Sequence, residues 1–211
     1  VGPVRQSEPL PFDRVDKKNL DKEKTVNDSR NPRNPAAMFV IVVFFMLREL
    51  EVATARLCDL SFNDEDKEVR LHLSVSKNDP QARGTWRPWR CNCSGDDGEE
   101  AHRRGPCHAA KHHRDDLVKN FKDCEHDADF PLFPTWAGLE VKPEHIVMFI
   151  EAIAAMIGEA LMTPKGMRRF GKHSFRATGA GHLALMGIAS VFPEMAESDW
   201  GVTEVYNEEF D

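Results

Sequence analysis

The run GKHSFRATGAGHLALMGI, residues 171–188, decides how the rest of the chain is read. His173 and Arg176 stand three residues apart, so on a helix they share one face. Both side chains carry N–H donors that can meet on a single oxyanion. The residues from Ser174 to Met186 continue as a helix, and Gly187 supplies its stop. Alone, a His-x-x-Arg pair is common, and a surface His beside a solvated Arg is the plainer reading. The weight of the pair therefore depends on its surroundings.

Upstream, Ala36–Leu47 is almost wholly apolar. It is far shorter than the ~20 residues needed to cross a bilayer. It reads as a buried core helix, with Ala36–Leu57 as that helix followed by a bend. Arg48 follows the apolar run directly, so its stem is partly buried. A buried Arg needs a partner, and Glu51 is placed to hold it for a phosphate. The plainer alternative is a surface Arg–Glu pair, which contributes little.

Lys67–Val75 (KEVRLHLSV) alternates polar and apolar residues, the period of a half-buried strand. Asn78-Asp79-Pro80 and Gly84 carry turn chemistry, and Thr85–Cys91 returns as a second strand, giving a β-hairpin. Lys77 sits at the start of that turn, where a lone lysine would simply be solvated. Ser94–Gly105 is a polar loop. His108–Phe121 reads as an amphipathic helix with Ala110, Leu117 and Phe121 on its apolar side. Leu132-Phe133-Pro134 is a short apolar stop. Lys142–Leu161 is the clearest helix: Pro143 lies in its first turn, and Ile146, Phe149, Ile150, Ile153 and Ile157 recur at helical spacing. Residues 1–35, polar and proline-containing, read as a linker or the remnant of a preceding domain.

The chain has 211 residues, enough for one domain with a full core. Its formal net charge of −7 argues against a simple basic DNA-binding module. The basic residues are clustered, however, in Lys77–Arg90, His102–Arg114 and Lys165–Arg176, so a local surface can still hold phosphates. The five cysteines, an odd count without a secretory leader, read as reduced thiols in an intracellular protein. Cys91, Cys93, Cys107 and His112 form a candidate structural zinc set. The alternative is a reduced, loop-borne group of Cys and His, and the His112-His113 pair reads equally as a basic patch facing DNA.

Taken together, these boxes resemble the catalytic domain of the tyrosine recombinases, the phage-integrase family. The family's helix has the pattern H-x-L-R-H-T-x-A-[ST]-x-L-x-x-x-G-[VI]. His173, Phe175, Arg176, Thr178, Ala180, Leu183, Gly187 and Ile188 match it without a gap. The family's first box, G-x-R-x-x-E-x-x-x-L-x-x-x-D-[IL], is matched by Arg48, Glu51, Asp59 and Leu60, with Met46 at the Gly position and Ala55 at the Leu position. Lys77 matches the hairpin lysine in place and order. Val202-Thr-Glu-Val-Tyr206 resembles the family's T-x-x-Y ending, and Trp200 the His or Trp ahead of it. The interval from Trp200 to Tyr206 is shorter than the family's, and Ser198 replaces a usual Gly.

The resemblance implies an α+β, mainly helical domain over residues 36–211 with a small antiparallel β-sheet or hairpin. It implies a site-specific recombinase that cuts and rejoins double-stranded DNA through a 3′-phosphotyrosyl intermediate. Arg48 and Arg176 would clamp the phosphate, and His173 and Trp200 would add hydrogen bonds. Lys77 would act as general acid and Tyr206 as nucleophile. Arg168, Arg169 and Lys172 are candidate DNA contacts. No metal is required for this chemistry. Self-association on DNA, no membrane partner, and a nuclear location (if the source is eukaryotic, otherwise cytoplasmic) are expected. The inserted Cys and His residues are similar to those of recombinases from eukaryotic mobile elements. Two alternatives stay open: a catalytically degenerate DNA-binding domain of a decayed element, and a zinc-stabilised interaction module.

Overall fold

A computed structural model describes residues 7–63, 65, 67–73, 84–91 and 105–187. Among these the chain order is α1 (Lys17–Leu20), α2 (Pro35–Phe44), α3 (Glu49–Thr54), β1 (Leu60–Asn63), β2 (Glu68–Leu73), β3 (Thr85–Arg90), α4 (Pro106–Asn120), α5 (Pro143–Met156) and α6 (Ser174–Leu185). Short 3-10 turns occur at Phe12–Arg14, Leu57–Asp59 and Cys124–His126. The fold is α+β, with a small three-stranded antiparallel sheet beside a helical body.

The apolar run becomes α2, and nearly every residue of it is buried. A helix that is apolar all round belongs in the middle of a domain, and α2 packs against α1, α4 and α6. Pro35 opens it, where the missing N–H costs nothing. The helix stops sooner than the sequence suggests. Leu47 N–H donates to Val42 O at 2.9 Å and Met46 N–H to Val43 O at 3.1 Å, with Met46 at φ 50°. That pair of bonds closes a helix with a left-handed residue, a place usually taken by glycine. The chain then turns and starts α3 at Glu49, so the expected single helix with a bend is two helices.

Close approach also explains a glycine in α6. A Cβ on Gly179 would lie 2.1 Å from Val43 O and 2.8 Å from Met46 Cγ. Only a residue without a side chain lets α6 cross α2 at this distance. Phe39, Phe149 and Phe175 fill the space between α2, α5 and α6, all essentially inaccessible to solvent. Each such ring contributes about 1.5–3 kcal/mol of burial. The expected helix over Lys142–Leu161 ends early, at Met156, and Gly158 with φ 77° turns the chain away. Helix α6 ends at its expected glycine, with Gly187 at φ 73°.

The predicted hairpin is β2 and β3, paired antiparallel with Leu71 opposite Arg87 and Val69 opposite Trp89. A third strand, β1, adds on the other side, with Leu60 opposite Leu71. The alternation of Val69, Leu71 and Leu73, all buried, sets which face meets the helices.

The linker reading of the N-terminal segment does not hold for residues 7–35. Leu10, Val15, Leu20 and Val26 are buried in the core. Phe12 stacks on Phe39 at 5.6 Å, and Leu10 N–H donates to Thr178 Oγ1 at 2.7 Å. The segment is polar in composition, yet its few apolar residues are spaced to dip into the helical body one at a time. Among the described residues no helix is long and apolar enough to cross a membrane.

Candidate anion-binding site

The turn between α2 and α3 gathers cations. Met46 O accepts from Arg176 Nε at 3.0 Å and from Arg87 Nη1 at 3.2 Å. Arg87 Nη1 also donates to Phe45 O. Two residues on, Arg48 opens α3, and its backbone N–H donates to Glu51 Oε2 at 2.8 Å. The same buried carboxylate takes Arg176 Nη2 at 3.2 and 3.3 Å. Glu49 N–H donates to Lys172 O at 3.3 Å, which stitches the start of α3 to the residues just before α6. The left-handed Met46 thus aims a carbonyl at two guanidiniums and delivers Arg48 beside them.

Charge in this cluster is unbalanced. Arg48, Arg87 and Arg176 surround Glu51, close enough for their charges to act on one another. Burial lowers Arg176 to about 10, with Glu51 pulling it back up and Arg48 and Arg87 pushing it further down. Burial likewise lowers Arg87 from its ordinary value. His173 is lowered by burial first and then by Arg48, Arg176 and Lys172. Its imidazole is therefore mostly neutral at pH 7 and can still donate a hydrogen bond. Arg48 Nε is buried without a hydrogen-bond partner among the described residues. A buried donor left unmet costs about 1–3 kcal/mol, and an anion would remove that cost.

The residues nominated from sequence fall into groups. Arg48, His173 and Arg176 meet in this cluster, and Lys172 stands at its edge, where its charge acts on Glu49 and His173. Arg169 is engaged elsewhere, bonding Glu8 at 2.7 Å and Glu159 at 3.1 Å and so holding the N-terminal segment to the body. Arg168 is exposed and lies 3.5 Å from Glu151. Lys77, Trp200, Tyr206 and Cys93 lie outside the described residues.

Sequence reading missed Arg87. The signal was there: with Val69, Leu71 and Leu73 facing inward, the partner position of Leu71 also faces inward, and an Arg there needs a reason. Met46, which the resemblance sets against a glycine, is the left-handed residue that closes α2.

Of the candidate zinc residues, Cys91 Sγ lies 3.2 Å from His108 Nε2, and Cys107 Sγ donates to Trp89 O at 3.2 Å. His112 is exposed on the side of Asp21, on which its charge acts. Among the described residues no group of three or more His, Cys, Asp or Glu is arranged to hold a metal ion. His113 is not part of a basic patch facing DNA. It is fully buried, contacts Leu132 O at 2.6 Å, and burial pushes it down to about 4, so it is neutral at pH 7.

No protein-family model matches the chain, and no curated protein matches it significantly.

Proposed function

We propose that this chain is a tyrosine-recombinase-type catalytic domain that binds double-stranded DNA and cleaves and rejoins it. One observation carries the reading. Arg48, His173 and Arg176, which come from segments more than a hundred residues apart, converge around Glu51 with more cation than anion. Residues matched to a motif by chance have no reason to share one small volume.

The chemistry follows from the residue types. Arg48 and Arg176 hold the non-bridging oxygens of a scissile phosphate, where planar guanidinium gives paired hydrogen bonds. Neutral His173 donates to the same group. Glu51 holds the Arg176 guanidinium and the Arg48 backbone in place. By the resemblance, the Tyr206 hydroxyl gives its proton to solvent, and the resulting phenolate oxygen attacks phosphorus and forms the P–O bond to tyrosine as the bond to the 5′ oxygen breaks. Lys77 protonates that leaving oxygen, and Trp200 adds a donor. Attack by another 5′-hydroxyl reverses the step and keeps the phosphodiester energy. None of these steps calls on a metal. Self-association on DNA belongs to the same reading, because exchange needs two duplexes.

The test is a covalent-capture assay with the full chain and a pool of nicked duplexes of randomised sequence. The expected result is a protein–DNA adduct that survives denaturation and is lost in Tyr206→Phe and Arg176→Ala. Salt-dependent DNA binding without any adduct would leave a degenerate DNA-binding domain instead. No binding at all would remove DNA as a partner.

A further inference from the structure

We propose that Arg87 is the third cation of this site, and that the site is built for a doubly charged anion. The proposal rests on reading the cluster as an anion site. Three guanidiniums, Arg48, Arg87 and Arg176, face the buried carboxylate of Glu51, and the second buried carboxylate nearby, Glu49, is offset by Lys172. The formal excess is two positive charges.

Arg87 is held where it can act. One terminal nitrogen, Nη1, is fixed on Phe45 O and Met46 O. Arg176 hangs from the same Met46 carbonyl, and Arg48 lies two residues beyond it along the chain. The three cations are thus fixed relative to one turn, whose left-handed Met46 sets its shape. Two roles combine in Arg87: it pins the turn that delivers Arg48, and its charge adds to the field at the site.

The stoichiometry points to a transition state. A phosphodiester carries one negative charge, and attack by an anionic oxygen gives a five-coordinate phosphorus carrying two. With Arg48 and Arg176 against Glu51 alone, the excess would be one and would match the ground state. Arg87 supplies the second positive charge, which is matched only as the reaction proceeds. An interaction stronger in the transition state than in the ground state is the kind that raises rate.

Sulfate and methyl sulfate share a tetrahedral head and differ in charge, so they test this without any DNA target. Binding of each to the full chain is measured by calorimetry at constant ionic strength. Wild type is expected to bind sulfate about tenfold tighter than methyl sulfate, from the added charge acting at short range. Arg87→Met should lose most of that preference, while Arg87→Lys, which keeps the charge, should retain much of it. Circular dichroism checks that each variant folds. If Arg87→Met does not fold, the wild type and Arg87→Lys still decide: no preference in wild type, or its loss in Arg87→Lys, overturns the proposal. A preference unchanged in a folded Arg87→Met overturns the role of Arg87 and leaves the Arg48–Arg176 site standing. If wild type binds neither ion, the anion-site reading itself falls and the proposal falls with it.

Discussion

Helix α2 has a polar cluster at each end, and the two are built differently. At its N-terminal end Arg33 donates to Asp116 at 2.6 and 3.4 Å, Asn34 Nδ2 donates to Asp116 at 2.8 Å, and His113 sits between Asn34 Nδ2 at 3.2 Å and Leu132 O at 2.6 Å. One cation meets one anion. Burial alone would raise Asp116, yet the hydrogen bonds from Arg33 and Asn34 hold its carboxyl below the ordinary range. At the C-terminal end three guanidiniums and Lys172 meet two carboxylates, Glu51 and Glu49, and Arg48 Nε has no partner among the described residues. The first cluster is closed and needs nothing more. The second is open, with both a charge and a hydrogen bond left over. Burial and polarity are common to both, so what separates a site from a strut is the balance.

The sharpest way to break this contrast is to remove the two carboxylates. Glu51→Ala leaves three cations together and is expected to cost about 3–5 kcal/mol, the range for breaking a buried ion pair. Asp116→Ala is expected to cost less, because its side chain is more accessible than that of Glu51. Urea unfolding with and without sulfate, at matched ionic strength, separates them. Sulfate should stabilise the Glu51 variant more than wild type, since the excess there rises to three. It should stabilise the Asp116 variant no more than wild type. Equal sulfate effects on the two variants would show that the clusters do not differ in this way.

Acid probes the closed cluster next. The His113 value in the folded state is lowered to about 4 from its usual 6.5, chiefly by burial. The unfolded chain therefore binds the proton first. The contribution of neutral His113 is fully present above about pH 6.5 and is lost as pH falls from there towards 4. The full loss is on the order of 3 kcal/mol. His113→Gln, which keeps a donor for Leu132 O, should flatten this part of the stability profile. Unfolding curves of both proteins between pH 7.5 and 4 check it; parallel profiles would mean that another group is responsible.

The sequence carried different parts of this picture with different clarity. Periodicity was enough for β2, for α4, and for the buried face of α5, where Ile146, Phe149, Ile150 and Ile153 all lie inside, while β3 was read from the turn residues ahead of it. Strand β1 was not legible because four residues of mixed polarity have no period of their own and pair only once β2 exists. The break at Met46 was hidden because a methionine stands where chain geometry favours glycine. The N-terminal segment was misread as a linker because its composition is polar, while its packing depends on four separated apolar residues. Arg48, His173 and Arg176 were nominated by motif, and the structure brings them into one cluster. Arg87 was not nominated, because nothing in its immediate neighbours distinguishes an inward arginine from a solvated one; the strand register does.

The smallest expected effect on stability is the most telling comparison of all. Arg33→Met removes the cation of the closed cluster, strands Asp116 and is expected to cost about 2–3 kcal/mol. Arg48→Met removes a side chain whose Nε has no hydrogen-bond partner among the described residues and that stands near two like charges, Arg87 and Arg176, as well as Glu49. Its long stem is replaced by one of similar shape, and repulsion with Arg87 and Arg176 is relieved. The expected change is a gain of up to about 1 kcal/mol, as at sites where function opposes stability. Sulfate binding should fall in the same variant, so the protein becomes steadier and less able to hold its ligand. Thermal unfolding and calorimetry on the one preparation read both. A cost for Arg48→Met equal to that for Arg33→Met would make the two ends of α2 alike, with both arginines serving the fold.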